Sequence, residues 1–310
     1  MQRTFPLNPL FQRGTTLNWL PYEEFPFQSR FIDIDGNRIH YLDEGQGPTL
    51  LFVHTPMWLF VWRDLIKALR GNFRCITLDF PATGLSKASS NYQPSIPNAA
   101  KVLGQFIDKL ELTGITLVAH DVGGAIGLKV ATPMPERFKA IVLNGSFGWS
   151  LKKHNKNVTR FLGIVSSLPV ASMNAHTNFI ARFTAGSGGI GKHLSNGGKR
   201  AFKGGFQEPQ SRRALTQMFA DVLKQDAYLE KLERDLSNLR QLPVLLAYGE
   251  NDQGRKAGFQ KQFEAIFPKH TSVIIQGANH FPQMDAPYEV AETISYWLKN
   301  ITTNTVSVSE

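Results

Sequence analysis

Three side chains suited to nucleophilic or acid–base chemistry each follow an apolar, strand-like run. Asp121 lies in LVAHDVGG, residues 117–124, where the run ends at a carboxylate and two glycines open a helix. Asp252 follows the run LLAYGEN, and His280 follows VIIQGAN. Because loops at the carboxyl ends of neighbouring parallel strands converge on one crevice, we expect these three side chains to meet despite their separation in sequence.

The segment around Asp121 has the small-x-Asp-x-Gly pattern of a sharp strand-to-helix turn. The glycines that follow allow strand, turn and helix to pack closely, so that the side chain at the turn projects into an open site. A serine at such a turn attacks carbonyl carbon, whereas a carboxylate can displace a leaving group from saturated carbon and form an alkyl ester. The pattern therefore predicts Asp121 as a covalent nucleophile whose ester must be cleaved by water.

Cleavage of that ester requires a base. His280 fits this role because an imidazole with a pKa near neutrality can take and return a proton, and Asp252 would orient it and stabilise its charge. Glu250 is a competing acid two residues earlier; we prefer Asp252 because it falls further into the loop. The other common placement of the acid is excluded, since the segment NGS at 144–146 offers no carboxylate.

The oxyanion of the hydrolysis step needs two donors, which we expect to be the backbone N–H groups of Thr55 and Val122. The segment around Thr55 departs from the usual His-Gly-x-Pro pattern, because it reads His54-Thr55-Pro56 and lacks the glycine. A proline has no N–H and threonine resists left-handed conformations, so this part of the site is expected to be reshaped.

Strand and helix signals alternate from residue 30 onward, which predicts an α/β sheet wrapped by helices. The predicted strands cover residues 31–35, 38–42, 49–53, 75–79, 115–119, 140–143, 244–248 and 272–276. Predicted helices include residues 62–69, 99–110 and 258–267, and a last amphipathic helix to Leu298 with Asp285 as its N-cap.

The alternation lapses between residues 149 and 240, which predicts helices and loops inserted as a cap. We expect a core in two parts, residues 1–148 and 241–299, a basic, glycine-rich helical cap at 149–240, and a disordered tail at 300–310. Residues 150–213 hold eleven Lys and Arg against one acid, Glu208, within a chain of net charge +9. Such a field could attract anionic substrates, a membrane surface or nucleic acid, although no nucleic-acid-binding motif is evident.

The remaining composition describes a globular chain of 310 residues with one cysteine, Cys75, expected to be a buried core thiol. A disulfide framework is excluded and a reduced compartment fits best. No secretory signal or apolar run of about 20 residues is visible, so we expect a cytoplasmic protein without a transmembrane helix. No clustered Cys/His spacing suggests a metal site, and no cofactor is expected.

Taken together, the motifs resemble those of the haloalkane dehalogenases. The resemblance rests on RIHYLDEG at 38–45, the loop at 54–63, DFPATGLS at 79–86, the turn at 117–124, GEND at 249–252 and HFPQMDAP at 280–287. It implies the α/β-hydrolase fold, a mostly parallel twisted sheet flanked by helices with a helical cap after the sixth strand. It also implies a small, largely apolar substrate for the nucleophile–acid–histidine order of Asp121, Asp252 and His280.

The chain departs from that family where a released halide would bind. The family places an indole N–H beside the nucleophile, together with an Asn or a second Trp, whereas this chain has Val122 there and Thr55 or Pro56 in place of the Asn. Trp58 and Trp149 could supply indole N–H groups from other walls of the pocket, although both could equally be apolar packing.

Three other functions are weighed against dehalogenation. Epoxide hydrolases share the Asp nucleophile but need acids, normally two cap tyrosines, and no tyrosine lies between residues 149 and 227. A catalytically weak ligand-binding protein on the same fold is a second alternative. The third is nucleotide binding by Gly186–Lys192, which matches the G-x-x-x-x-G-K spacing but continues with histidine instead of Ser or Thr.

Overall fold

The computed structural model describes residues 17–186 and 190–306, with the side chains of the last helix as far as Ile301. Eight strands occur in this part of the chain: β1 Arg30–Ile34, β2 Asn37–Glu44, β3 Thr49–Thr55, β4 Arg74–Leu78, β5 Ile115–Asp121, β6 Phe138–Asn144, β7 Val244–Gly249 and β8 His270–Ile275. They form one sheet in the order β1-β2-β4-β3-β5-β6-β7-β8.

Fourteen α-helices surround this sheet in the described residues. The bounds outside the β6–β7 connection are α1 Arg63–Leu69, α2 Ile96–Lys109, α3 Val122–Ala131, α11 Gln253–Lys256, α12 Phe259–Ile266, α13 Pro282–Asp285 and α14 Pro287–Val306. The bounds within it are α4 Leu151–His154, α5 Lys156–Val165, α6 Leu168–Thr177, α7 Phe179–Thr184, α8 Asn196–Gly204, α9 Pro209–Val222 and α10 Asp226–Asp235.

The sheet is mostly parallel, as the sequence predicts. Only the β1–β2 and β2–β4 pairs are antiparallel, and a tight turn at Asp35 and Gly36, both with positive φ, joins β1 to β2. The chain goes from β3 outward to β4 and then crosses back to β5, so the strand order reverses beside β3 and β5. Ligands of open α/β sheets bind at the carboxyl ends of strands at such a reversal.

Both faces of the central strands are buried, which explains their continuous apolar runs. In β5, Leu117 and Ala119 pack with α2 and α3 on one face, whereas Val118 belongs to the cluster on the other face with α1 and α14. The single Cys75 is buried in β4, and burial raises its pKa to about 12. It is the core thiol that the sequence predicts.

The helices α4 to α10 all lie between β6 and β7. The sequence places an insertion at this point, and its division from the core at residues 149 and 240 stays a prediction. The segment Gly186–Lys192 is only partly described, because residues 187–189 lie outside the described part. The element before it is the helix α7, whereas a phosphate-binding loop follows a strand.

The carboxyl end of the chain differs from the expectation in two respects. Helix α14 continues to Val306, into the region expected to be a disordered tail from residue 300; residues 307–310 lie outside the described part. Asp285 ends α13 and accepts a hydrogen bond from the Asn279 N–H at 2.7 Å, so it does not cap α14. Among the described helices none combines the length and apolar character needed to cross a membrane.

Candidate active site

Asp121 lies at a strained turn between β5 and α3. Its φ of 52° and ψ of −131° are rarely adopted by residues other than glycine, and such strain is typical of functional sites. The following glycines make the turn possible: a Cβ at Gly123 would strike the carbonyl oxygen of Val53, and one at Gly124 would meet the Ser146 side chain. The local sequence therefore places a carboxylate at the carboxyl end of the central strand.

Asp252 and His280 form a hydrogen-bonded pair next to this turn. The Nδ1 of His280 lies 3.2 Å from Oδ2 of Asp252. The other carboxylate oxygen accepts hydrogen bonds from the backbone N–H groups of Gly254 and Arg255, at 2.5 and 3.3 Å, and so caps α11. Asp252 is fully buried and both of its oxygens are engaged, which fixes the orientation of the imidazole.

The opposite nitrogen of His280 faces Asp121. Its Nε2 lies 4.0 Å from Oδ1 of Asp121, and the side chains keep 38% and 22% of their surface exposed. The three residues selected from the sequence are thus brought together in the order Asp121–His280–Asp252. Their exposed surface leaves the carboxylate and Nε2 open to a substrate or a water.

The site shifts the pKa values of Asp121 and His280. Burial raises the pKa of Asp121 to about 6, partly opposed by the charge of His280. Burial alone would lower the pKa of His280, but the charge and hydrogen bond of Asp252, together with the charge of Asp121, raise it to about 9. Between these values the two groups form an ion pair, which favours an ionised carboxylate at neutral pH.

The competing acid is placed elsewhere. The carboxylate of Glu250 accepts a hydrogen bond from the Gly277 N–H at 3.0 Å, so it serves the turn after β8. Its backbone carbonyl accepts from the Arg255 guanidinium at 2.7 Å. The geometry therefore favours Asp252 over Glu250 as the partner of His280.

Gly145 is a site residue that the sequence analysis did not single out. Its φ is +53°, and a Cβ there would lie 2.7 Å from Oδ2 of Asp252 and 3.1 Å from Nδ1 of His280. The missing side chain at the end of β6 is what leaves room for the pair. A glycine directly after a buried strand was the available signal, but its neighbours across the sheet are not visible in the sequence.

We expect Gly145→Ala to damage the site from this position. The methyl group would push against Asp252 and His280, so turnover should fall at least tenfold, and the left-handed backbone should cost about 1–2 kcal/mol of the free energy of unfolding. Steady-state rates and urea denaturation measure the two effects. Gly104→Ala in α2 is the control, because that position has open space and an ordinary backbone. Equal activity of both variants would contradict the expectation.

Two further histidines, His54 and His120, support the carbonyl of His280. Burial lowers the pKa of His54 to about 3 and that of His120 well below its usual value, so both are neutral. His120 Nε2 donates to the His280 carbonyl at 2.6 Å, which leaves its Nδ1 to accept from His54 Nδ1 at 3.0 Å. This chain of hydrogen bonds holds the backbone of the base in place.

The two expected oxyanion donors lie on either side of Asp121, because Thr55 ends the neighbouring strand β3 and Val122 opens α3. Thr55 is the last residue of β3 and pairs with Asp121 across the parallel ladder. Burial raises the pKa of Asp121, and the nearby backbone N–H of Val122 opposes part of that rise. Both residues are buried, and their role as an oxyanion hole stays a prediction.

Trp58 does not fit the predicted leaving-group role. Its indole N–H donates to the carbonyl of Phe202 at 3.1 Å, and its ring is fully buried between Phe25 and Phe60, with centroids 5.8 and 5.2 Å away. The prediction is corrected because this donor is engaged and the indole serves as apolar packing. The sequence could not show this, since Phe202 lies 144 positions further along the chain.

Trp149 and Trp62 have buried indole N–H groups without partners in the described residues. The Trp149 ring packs against Phe263, with centroids 4.6 Å apart, at the start of the inserted helices. Trp62 lies 6.4 Å from His54, measured between ring centroids. The leaving-group role of Trp149 stays a prediction, and Trp62 is a donor that the sequence analysis did not consider.

Tyr228 of the inserted helices and Tyr92 are weaker acids than a free tyrosine, which disfavours both as proton donors. Tyr228 of α10 lies against the ammonium of Lys129, 5.3 Å from its ring centroid, and burial raises its pKa to about 12. Tyr92 is partly buried, and loss of solvent raises its pKa above the usual value. In the described residues no group of three or more His, Cys, Asp or Glu side chains is placed to hold a metal ion.

Comparison with known proteins places the chain among relatives with this architecture. The family described as the α/β hydrolase fold matches residues 48–287. Haloalkane dehalogenase 2 of Mycobacterium tuberculosis is 33% identical over 274 residues, which cover 87% of this chain and 94% of that protein. A cis-3-alkyl-4-alkyloxetan-2-one decarboxylase of Shewanella oneidensis is 39% identical over 122 residues, 38% of each chain.

A solved structure of another protein shares the fold of this chain. The haloalkane dehalogenase DbeA from Bradyrhizobium elkani superposes with a TM-score of 0.78 at 18% sequence identity. The match covers 89% of this chain and 99% of that one. At this identity the likeness establishes the shared fold.

Proposed function

Because the chain belongs to the α/β-hydrolase family, with haloalkane dehalogenases among its relatives, we propose that it hydrolyses a small, largely apolar electrophile through a covalent ester on Asp121. The observation that carries this proposal is the alignment of Asp121, His280 and Asp252, with 4.0 and 3.2 Å between facing atoms. A carboxylate at the strained turn, a base facing it and an acid behind that base are the parts that two-step hydrolysis requires.

In the first step, a carboxylate oxygen of Asp121 attacks a saturated carbon of the substrate. A C–O bond forms while the bond to the leaving group breaks, and the electron pair departs with the leaving group. Ionised Asp121 is available for this step because its pKa of about 6 lies below neutral pH. The product of the step is an alkyl ester.

In the second step, His280 Nε2 takes a proton from a water that attacks Cγ of the ester. The Asp121 carbonyl oxygen becomes the oxyanion, for which the N–H groups of Val122 and Thr55 are the proposed donors. Esterification removes the charge of Asp121, one of the groups that raise the pKa of His280, so the imidazolium then releases its proton to solvent more readily and becomes the base. Asp252 stabilises the imidazolium until the alcohol leaves with the proton.

The leaving group is a halide in the function we favour. Val122 offers no side-chain donor beside Asp121 and the Trp58 donor is engaged, so Trp149 or Trp62 would have to stabilise the departing anion. We therefore expect faster reaction with bromide than with chloride as leaving group, since bromide depends less on donated hydrogen bonds. Release of halide together with an equal amount of alcohol is the signature of this activity.

A second candidate function is opening of an oxetan-2-one. The missing donor beside Asp121 favours it, because a strained ring carries its leaving carboxylate within the substrate and needs no halide pocket. The decarboxylase relative is described by its name as acting on such a ring. Release of carbon dioxide from a 3,4-dialkyl-oxetan-2-one distinguishes it from dehalogenation.

A substrate screen tests the proposal. The full chain is incubated with brominated and chlorinated alkanes, 3,4-dialkyl-oxetan-2-ones and epoxides, and halide, carbon dioxide, alcohol and diol are measured. We expect turnover of at least one halogenated alkane or oxetan-2-one, and little turnover of the epoxides. Absence of turnover in all classes, with Asp121 unmodified by mass spectrometry, would contradict the proposed chemistry.

The pH dependence of the first step gives a further expected result. Only ionised Asp121 attacks, and its pKa is raised to about 6, so the single-turnover alkylation rate should rise about tenfold per pH unit below 6 and level off above it. Rapid mixing with excess enzyme measures this rate separately from hydrolysis. A rate that stays constant from pH 5 to pH 8, while circular dichroism shows the fold intact, would contradict the assignment.

A further inference from the structure

The inserted helices expose an unusual number of large apolar side chains. We call them the cap apolar face; its members belong to α5, α6 and α7 and are Phe161, Ile164, Leu168, Met173, Phe179 and Phe183. Leu168 is 86% exposed and Phe183 is 71% exposed. Single exposed apolar residues are ordinary, but a group of six on consecutive helices marks an interaction surface.

Their exposure places these residues on the outer sides of the three helices, and in α5 and α7 they also share one helix face. Phe161 and Ile164 are three positions apart in α5, and Phe179 and Phe183 are four apart in α7, with ring centroids 6.2 Å apart. The same helices bury other residues: Leu162 in α5, Asn174 and Ala175 in α6, and Ile180 and Ala181 in α7. The apolar residues on the outer sides therefore do not contribute to the core that these helices bury.

Unpaired positive charge lies beside the cap apolar face. Lys156, Arg160 and Arg182 are exposed on the same helices, and no ion-pair partner for them occurs in the described residues. Two acids of α10 are engaged by another helix. Asp226 and Glu230 pair with Lys152 and Lys153 of α4, at 2.6 and 2.7 Å, so they neutralise the basic residues one helix away.

We propose that the cap apolar face docks onto an anionic lipid bilayer surface. Exposed aromatic and aliphatic side chains with flanking Lys and Arg are the combination that such a surface recognises, because the apolar groups enter the acyl boundary while the cations meet lipid phosphates. A nucleic acid would pair with the cations but would leave Ile164 and Leu168 in water. Pairing of this face with a second copy would bring two strongly basic segments together, which their charge opposes.

Vesicle flotation tests the docking directly. The full chain is mixed with vesicles of two compositions. One is phosphatidylcholine alone, and in the other about one lipid in three is the anionic phosphatidylglycerol. We expect flotation with the anionic vesicles and not with the neutral ones. Phe161→Ser combined with Phe183→Ser should weaken binding at least tenfold, and Arg160→Glu with Arg182→Glu should do the same. Tyr288→Ser and Lys261→Glu, at exposed positions outside the inserted helices, are the matched controls and should bind as the parent does.

Three outcomes would overturn the proposal. The first is absence of flotation with anionic vesicles. The second is flotation that depends on Arg160 and Arg182 but not on Phe161 and Phe183, because attraction by charge alone does not need the apolar face. The third is a concentration-dependent dimer, detected by sedimentation and abolished by the Phe161→Ser and Phe183→Ser pair, in a chain that does not float. Circular dichroism serves as the folding check for every variant.

Discussion

Replacement of His280 by phenylalanine is expected to stop the reaction at the ester. The first step needs only the carboxylate of Asp121, so alkylation should continue, whereas water is no longer deprotonated by Nε2 and hydrolysis should slow by about 10²–10⁴-fold. The enzyme should then accumulate one substrate alkyl group per chain. Intact-protein mass spectrometry shows the added mass, and peptide mapping places it.

The size of the His280→Phe effect depends on the charge that the variant removes. His280 lowers the pKa of Asp121, so without it less of the carboxylate is ionised and alkylation is best measured at pH 8. His270→Phe, at an exposed histidine near the start of β8, is the matched control and should turn over normally. Full turnover by His280→Phe would assign the base to another group, and an adduct on a residue other than Asp121 would reject the nucleophile.

Asp121→Asn is expected to remove activity altogether. The amide oxygen is a poor nucleophile, and loss of a covalent nucleophile from a catalytic triad lowers turnover by about 10⁴–10⁶-fold. The amide is close in shape to the carboxylate, so the turn between β5 and α3 should persist and substrate should still bind. Rates are compared with those of Asp33→Asn, an exposed position in β1 that should be unaffected.

The Asp121→Asn experiment also separates an enzyme from a weak ligand-binding protein on this fold. A binding protein would show the same ligand affinity in parent and variant, and neither would turn over. An enzyme that works as proposed loses turnover and keeps an affinity within a few-fold of the parent. Retained turnover in Asp121→Asn would contradict covalent catalysis by Asp121.

The sequence predicts the sheet well because its strands carry strong local signals. Strands such as β5 and β7 are buried on both faces, and their continuous apolar runs are bounded by glycine or proline. All eight predicted strands overlap observed ones. Asp121, Asp252 and His280 could be found for a related reason. Asp121 ends β5, Asp252 lies in the loop after β7 and His280 in the loop after β8, and a parallel sheet brings the ends of its strands to one edge.

Contacts between distant segments could not be predicted in the same way. Trp58 has the residue type and position of a leaving-group donor, but it donates to the Phe202 carbonyl in the inserted helices. Gly145 is an ordinary glycine in the sequence, and only the sheet reveals that Asp252 and His280 lie against it. The length of α14 was underestimated because its last turns are polar and resemble a tail.

Oxygen-isotope labelling in a single turnover tests the nucleophilic role of Asp121 most directly. Excess enzyme reacts once with a halogenated alkane in water enriched in oxygen-18, and the alcohol and the peptide containing Asp121 are analysed by mass spectrometry. If water cleaves the ester at Cγ, the heavy oxygen enters the Asp121 carboxylate and the first alcohol released carries an unlabelled oxygen from the enzyme. Label found in that alcohol, with none in Asp121, would contradict the covalent route and show that water attacks the substrate itself.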